Sequence, residues 1–295
     1  MGKYLKLIRV KHYLKNTLIF FPLVFSKQVW QYNLFKTTLY AFIAFCFLSS
    51  VVYIYNDIND IDNDKKHSRK RHRPLPAGLI SINKAKIIAV LLLLLVICFN
   101  FLASALTVQS WLLLLVYLLL NISYSKWLKN VPVADIAVLA SGFVIRLTYG
   151  SVVSAISISS WLYLTVLSMS FYLVLGKRRN EINNQELDTR KVLKKYSYAF
   201  LDKNMYMYLA LTIGFYALWC VDQQTIISYG KNIIWTVPLV MLICMRYSLA
   251  VEGESDGDPI EVVFNDKFML VLILLYAMTM FIIIYYEPLL QLISK

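Results

Sequence analysis

The chain is poor in the residues that punctuate soluble domains. Its 295 residues include only 9 glycines and 7 prolines, and charged side chains make up 16%. Acids are scarcer than bases, with 17 Asp and Glu against 30 Lys and Arg. The four cysteines, Cys46, Cys98, Cys220 and Cys244, all sit inside apolar runs and have neither metal spacing nor a disulfide context, so packing is their expected work. His67 and His72 share a basic loop and make no metal cluster by themselves. No soluble domain, low-complexity tract or linker is expected between the apolar runs. Lys3, Lys6, Arg9, Lys11 and Lys15 interrupt the first segment, so no removable leader is expected either.

What is present is apolar: 59% of the residues are hydrophobic and the mean hydropathy is +0.60, outside the range of ordinary soluble domains. The chain reads as an all-α, polytopic integral membrane protein, expected to form a single transmembrane domain over residues 1–295. Nine spans are expected near residues 12–29, 35–55, 82–102, 109–124, 133–153, 159–175, 204–221, 232–249 and 268–286. With a cytoplasmic N-terminus, all but five Lys and Arg fall on the cytoplasmic side. The exceptions are Lys27, Lys36, Lys231 and Lys295 on the opposite side, with the C-terminus, and Arg146 within a helix. The net charge of +13 is explained by those loops, so no nucleic-acid partner is expected. Arg146 is expensive against lipid and is expected to face the bundle interior or a polar cavity.

The segment that organises the rest runs from Asn56 to Gly78, NDINDIDNDKKHSRKRHRPLPAG. Asp57, Asp60, Asp62 and Asp64 come first, followed by Lys65, Lys66, Arg69, Lys70, Arg71 and Arg73. So much charge cannot lie in hydrocarbon, which puts the segment at a membrane surface or in a water-filled mouth. Asp57, Asp60 and Asp64 are spaced three and four apart, so on one helical face they offer hard oxygen ligands to a divalent cation. The adjoining Lys and Arg residues suit the phosphates of a substrate bridged by that cation.

The pattern of Asn56, Asp57, Asp60 and Asp64 after an apolar helix resembles the first aspartate-rich motif of the UbiA superfamily of intramembrane prenyltransferases. More closely, the chain resembles the decaprenyl-phosphate phosphoribosyltransferase branch, in five places. These are RVKHYLKNTLIFFP from Arg9, the acidic motif continued through Lys70, Arg71, Arg73, Pro74 and Gly78, and YSKWLKNVPVADIAVLASGFVIRLTYG from Tyr124. GKRRNE from Gly176, and Arg246–Tyr247 followed by Pro259, Glu261 and Asp266, complete the set. Val10, His12, Tyr13 and Ile260 depart from the branch pattern. The second acidic motif of true prenyltransferases is weak, with Glu181, Glu186 and Asp188 amid basic residues.

The resemblance implies nine helices around a central cavity open to the cytoplasmic face and the bilayer. It implies Mg2+ as cofactor, held by Asn56, Asp57, Asp60 and Asp64 with the three aspartates as catalytic groups, and PRPP and a polyprenyl phosphate as substrates. Substrate contacts are expected from Asn56, Lys70, Arg71, Arg73, Tyr124, Lys129 and Arg146. In the later part of the chain they are expected from Lys177, Arg178, Glu181, Glu261 and Asp266. Membrane lipid is a further partner, and homo-oligomerisation stays open. The competing readings are an aromatic prenyltransferase using a prenyl diphosphate, and a lipid-binding or transport protein without catalysis.

Overall fold

The computed structural model describes residues 2–66, 70–104, 107–183, 191–253 and 257–293. His67 and Arg69 of the first polar loop and Glu186, Asp188 and Arg190 of the second lie outside the described residues. The described secondary structure is helical throughout, and the chain forms two compact units, Met1–Ser157 and Ile158–Lys295.

Among the described residues, seven helices are long and apolar enough to cross a membrane: Tyr32–Asn59, Ile82–Ser104, Val108–Lys126, Ala134–Ser154, Tyr198–Val221, Lys231–Glu252 and Lys267–Tyr286. They match seven of the nine expected spans. The other two differ for identifiable reasons. Residues Val10–Phe20 wind as a 3-10 helix and continue into a short α-helix, Phe21–Phe25, whose second residue is Pro22. Proline lacks the N–H that a continuing α-ladder requires, so the winding changes there. At about 2.0 Å per 3-10 residue and about 1.5 Å per α residue, this first segment still rises about 30 Å, the thickness of a hydrocarbon core. Helix Ser160–Asn183 is long enough, but its last turns carry Lys177, Arg178 and Arg179, which lower its apolarity.

In the first unit we label the α-helices α1 (Gly2–Ile8), α2 (Phe21–Phe25), α3 (Tyr32–Asn59), α4 (Ile61–Lys66), α5 (Ile82–Ser104), α6 (Val108–Lys126) and α7 (Ala134–Ser154). One core joins the 3-10 segment to α3, α6 and α7 through Ile19, Phe45, Leu48, Tyr117 and Tyr149. Gly150 is required there, because a Cβ at that position would overlap the Ile19 carbonyl. A second core packs Leu7 of α1 and Ile54 of α3 with Leu75, Ile80 and Leu92. This core fixes the N-terminal segment and the loop before α5 beside the end of α3, where the acidic motif lies. On α5, Ile87, Val90 and Leu94 are exposed, as expected where lipid is the solvent.

The second unit holds α8 (Ser160–Asn183), α9 (Tyr198–Val221), α10 (Gln223–Tyr229), α11 (Val237–Glu252), α12 (Pro259–Asn265) and α13 (Lys267–Ile293). Side-chain caps start three of these elements. Ser197 accepts from the Phe200 N–H (3.1 Å), Asp222 from Gln224 (3.1 Å) and Asp258 from Ile260 (3.1 Å). Helix α8 runs two turns beyond the expected end, so the GKRRNE sequence is helical.

Candidate active site

The acidic motif straddles the break between α3 and α4. Asp57 belongs to the last turns of α3, Asp60 caps it and Asp64 lies in α4. The break barely interrupts the helical ladder, since the Asp60 N–H donates to the Asn56 carbonyl (2.9 Å) and that of Asp64 to Asp60 (2.8 Å). The expected common face therefore survives for Asp57 and Asp64, which are joined by one guanidinium. Arg73 Nη1 donates to Asp57 Oδ1 at 3.2 Å and to Asp64 Oδ2 at 2.8 Å. Arg9 also donates to Asp57 Oδ1, and its guanidinium lies over the Tyr53 ring at 4.7 Å. Asp60 instead accepts from Lys129, just beyond α6, and Asn56 accepts from Ser125 of α6 at 3.0 Å. The end of α6 and the link that follows it are thus each attached to the end of α3.

In the two arginine pairs the acid is the buried partner: the side chains of Asp57 and Asp64 are 2% and 6% exposed, against 17% and 28% for Arg9 and Arg73. Burial, and after it the neighbouring Arg9 charge, pull the Arg73 pKa below the ordinary arginine value, while Asp57 and Asp64 push it back up. Lys70 and Arg71 lie on the short 3-10 turn Lys70–His72, where Arg71 is exposed and donates to His72 at 3.3 Å. Tyr124 is buried on α6.

Arg146 has a different setting. It is 5% exposed on α7 and donates through Nε to Asn16 (2.7 Å), through Nη1 to the Gly142 carbonyl (2.6 Å) and through Nη2 to the Tyr117 hydroxyl (3.1 Å). The Phe45 and Tyr117 rings lie 4.9 and 5.1 Å from its guanidinium carbon. The expectation that it turns away from lipid into the protein interior is met, through neutral acceptors and aromatic rings.

In the second unit the cations are consecutive. Lys177 pairs with Asp258 (3.3 Å), and the fully buried Arg178 with Glu181 (2.6 Å). Arg179 pairs with Asp202 (2.8 Å) and Glu252 (3.1 Å). Asn180 donates to the Val251 carbonyl at 2.9 Å, and Tyr247 to that of Gly257 at 3.3 Å. Gly257 has a φ of 62° and presses against Asn180 and Lys177, where a Cβ would meet them at 3.0 and 3.1 Å. Asp266 pairs with Arg246 (2.7 Å) and caps α13 through the Met269 N–H (3.0 Å), whereas Glu261 is exposed on α12.

Several residues in these networks escaped the sequence reading of the site: Arg9, Asn16, Arg179, Asp202, Glu252 and Asp258. Arg9 had a signal, as the first residue of the opening motif. Its pairing spans 48 residues of sequence and has no local periodicity.

Among the described residues, no three His, Cys, Asp or Glu side chains converge as a ready-made metal site. The donor set nevertheless fits a hard divalent ion, with three carboxylates and one amide oxygen within one short helical run. Their charge is balanced by Arg9, Arg73 and Lys129.

Fold and site together define a polytopic helical membrane protein with a carboxylate–cation centre at the end of a long apolar helix. Residues 18–270 match the UbiA prenyltransferase family. The chain is 32% identical over 291 residues to the decaprenyl-phosphate phosphoribosyltransferase of Corynebacterium glutamicum, covering 96% of this chain and 87% of that one. It is 30% identical over 288 residues to the protein of the same description from Mycobacterium tuberculosis, covering 93% and 91%. The chain belongs to the UbiA prenyltransferase family and to its decaprenyl-phosphate phosphoribosyltransferase branch. The fold is that of a UbiA homolog from Archaeoglobus fulgidus bound to GPP and Mg2+, with a TM-score of 0.72 at 18% identity over 96% of this chain and 99% of that one.

Proposed function

We propose that this protein is a Mg2+-dependent enzyme that transfers the 5-phosphoribosyl group of PRPP to a polyprenyl phosphate, releasing diphosphate. The observation that carries this reading is the α3–α4 centre, where three clustered carboxylates are each matched to a cation on sequence motifs of the phosphoribosyltransferase branch. Asn56, Asp57, Asp60 and Asp64 would hold the ion; the A. fulgidus homolog bound to GPP and Mg2+ supports the choice of metal. When bound, the ion supplies charge stabilisation for the departing diphosphate.

The protein's own residues bind and orient. Lys70, Arg71 and Arg73 bind phosphate oxygens of PRPP, and Lys129 neutralises charge beside Asp60. Tyr124, Arg146, Lys177, Arg178, Glu181, Glu261 and Asp266 are assigned to the substrates by the family pattern, with Arg146 and Arg178 acting from buried positions. The nucleophile, a phosphate oxygen of the lipid, is already anionic near neutral pH, so no general base is needed. A new bond forms from that oxygen to the anomeric carbon as the bond to diphosphate breaks, with inversion at the carbon. The weak acidic run after α8 favours an anionic acceptor over a second metal-bound prenyl diphosphate.

We further assign nine crossings in one catalytic domain around a central cavity, the seven apolar helices being joined by the first segment and α8. The protein lies in the cytoplasmic membrane, with the N-terminus and active site cytoplasmic and the C-terminus opposite. The test is conversion of a short polyprenyl phosphate by purified protein with labelled PRPP. Mg2+-dependent labelled lipid is expected; no product there, with turnover of a prenyl diphosphate on an aromatic acid, would overturn the assignment.

A further inference from the structure

Two guanidiniums share the same buried oxygen of Asp57, and they are held there unequally. Arg73 bridges Asp57 and Asp64, so it keeps one carboxylate if the other is taken. Among the described residues Arg9 has a single acidic partner, Asp57, and otherwise rests on the Tyr53 ring. Its backbone lies in the left-handed region, at φ 54° and ψ 52°, where α1 ends and the 3-10 segment begins. A non-glycine residue is disfavoured there and is kept in place by its surroundings. Arg9 is also partly exposed, whereas Asp57 is buried. A divalent cation that takes Asp57 therefore leaves Arg73 on Asp64 but Arg9 with no acid among the described residues.

Displacing Arg9 without a replacement anion leaves a guanidinium beside a divalent ion, a like-charge arrangement that opposes binding. A diphosphate removes that opposition, because its oxygens bind both the ion and the released guanidinium. We propose that Arg9 is a phosphate-binding residue which Asp57 holds in reserve. When a divalent cation takes Asp57, the Arg9 guanidinium transfers to the phosphate oxygens of a diphosphate-bearing ligand, so cation and diphosphate bind as a pair. This rests on the metal-binding role proposed for Asp57 and adds a residue and a binding order to it.

The test uses the full chain in detergent, Mn2+ as the cation and inorganic diphosphate as the anion, with free Mn2+ read by electron paramagnetic resonance. For the unaltered protein, diphosphate is expected to raise Mn2+ affinity by about tenfold or more, and Mn2+ to raise diphosphate affinity by the same factor, as linkage demands. In Arg9→Ala and Arg9→Gln, Mn2+ alone should bind about threefold tighter or better, and the enhancement by diphosphate should fall below about threefold. Arg9→Lys, which keeps the charge, should retain most of the enhancement and serves if the neutral variants fail to fold. Mn2+ binding in Arg9→Ala and Arg9→Gln identical to that of the unaltered protein, with and without diphosphate, or loss of the enhancement in Arg9→Lys, would overturn the role of Arg9 while leaving the metal site standing. Absence of Mn2+ binding to the unaltered protein even with diphosphate would overturn both.

Discussion

The two units solve the same electrostatic problem in opposite ways. In the first, the acids are neighbours in sequence, Asp57, Asp60 and Asp64, and their cations arrive from Arg9, Arg73 and Lys129. In the second, the cations are neighbours, Lys177, Arg178 and Arg179. Their acids come from Glu181 on the same helix and from Asp202, Glu252 and Asp258 elsewhere. A local excess of one sign in an apolar protein must be balanced from a distance, and the balancing contacts tie the surrounding elements together. A cluster of acids can exchange its cations for a metal ion. A cluster of bases can exchange its acids for an anionic substrate group, and here it also ties α8 to α9, α11 and the start of α12.

The largest effect that could break this comparison is catalytic. Asp57→Ala and Asp60→Ala should each lower Mg2+-dependent turnover by about 10²–10³-fold, with the protein still monodisperse in detergent, since the lost charge stabilisation acts on the leaving group. Unchanged turnover would make the first cluster a purely structural one. Next is a stability effect in the second unit. Arg178→Met removes the fully buried guanidinium paired with Glu181 and should cost about 3–5 kcal/mol, seen as a lower thermal midpoint. Adding Glu181→Leu should restore most of it, because replacing both charges removes the charge imbalance that the single change creates.

Smaller effects sharpen the packing side. Gly150→Ala drives a Cβ into the Ile19 carbonyl and should cost about 1–3 kcal/mol in thermal unfolding, by separating α7 from the first segment. The smallest concerns the partly exposed Arg246–Asp266 pair: Arg246→Gln should change stability by less than about 1 kcal/mol. Burial raises the Asp266 pKa, but the Met269 N–H and Arg246 outweigh it and hold the carboxyl below its usual range. Its stabilising contribution is therefore present above about pH 4 and lost as pH falls through the lowered value. Asp266→Asn should flatten that acid limb in a stability-versus-pH profile.

Much of the fold was legible because lipid imposes simple rules. Seven apolar helices stand within a few residues of their expected ends, since each must satisfy its backbone internally over a set length. The exceptions lie where local chemistry overrides apolarity. Arg9 and Pro22 border or interrupt the first segment, which winds as 3-10 helix, and α8 carries helical structure past its apolar part because Lys177 to Glu181 find partners on other elements. Of the candidate site, the acidic run and its bases at Arg73 and Lys129 were readable from spacing and motif. Arg146 was legible as an inward-facing cation, and its acceptors Asn16 and Tyr117 were not.

The sequence by itself determined the membrane-spanning class, the helical run that presents Asp57 and Asp64 together, and the family, because hydrophobic length, helical period and motif order are local properties. Only the tertiary structure decided which cation meets which acid. Arg9 and Asp57 are 48 residues apart, and Lys129 and Asp60 are 69 apart, so no periodicity links them. They meet because the core around Leu7, Ile54 and Leu75, and the attachment of the end of α6 to the end of α3, bring those segments to the same turns of helix.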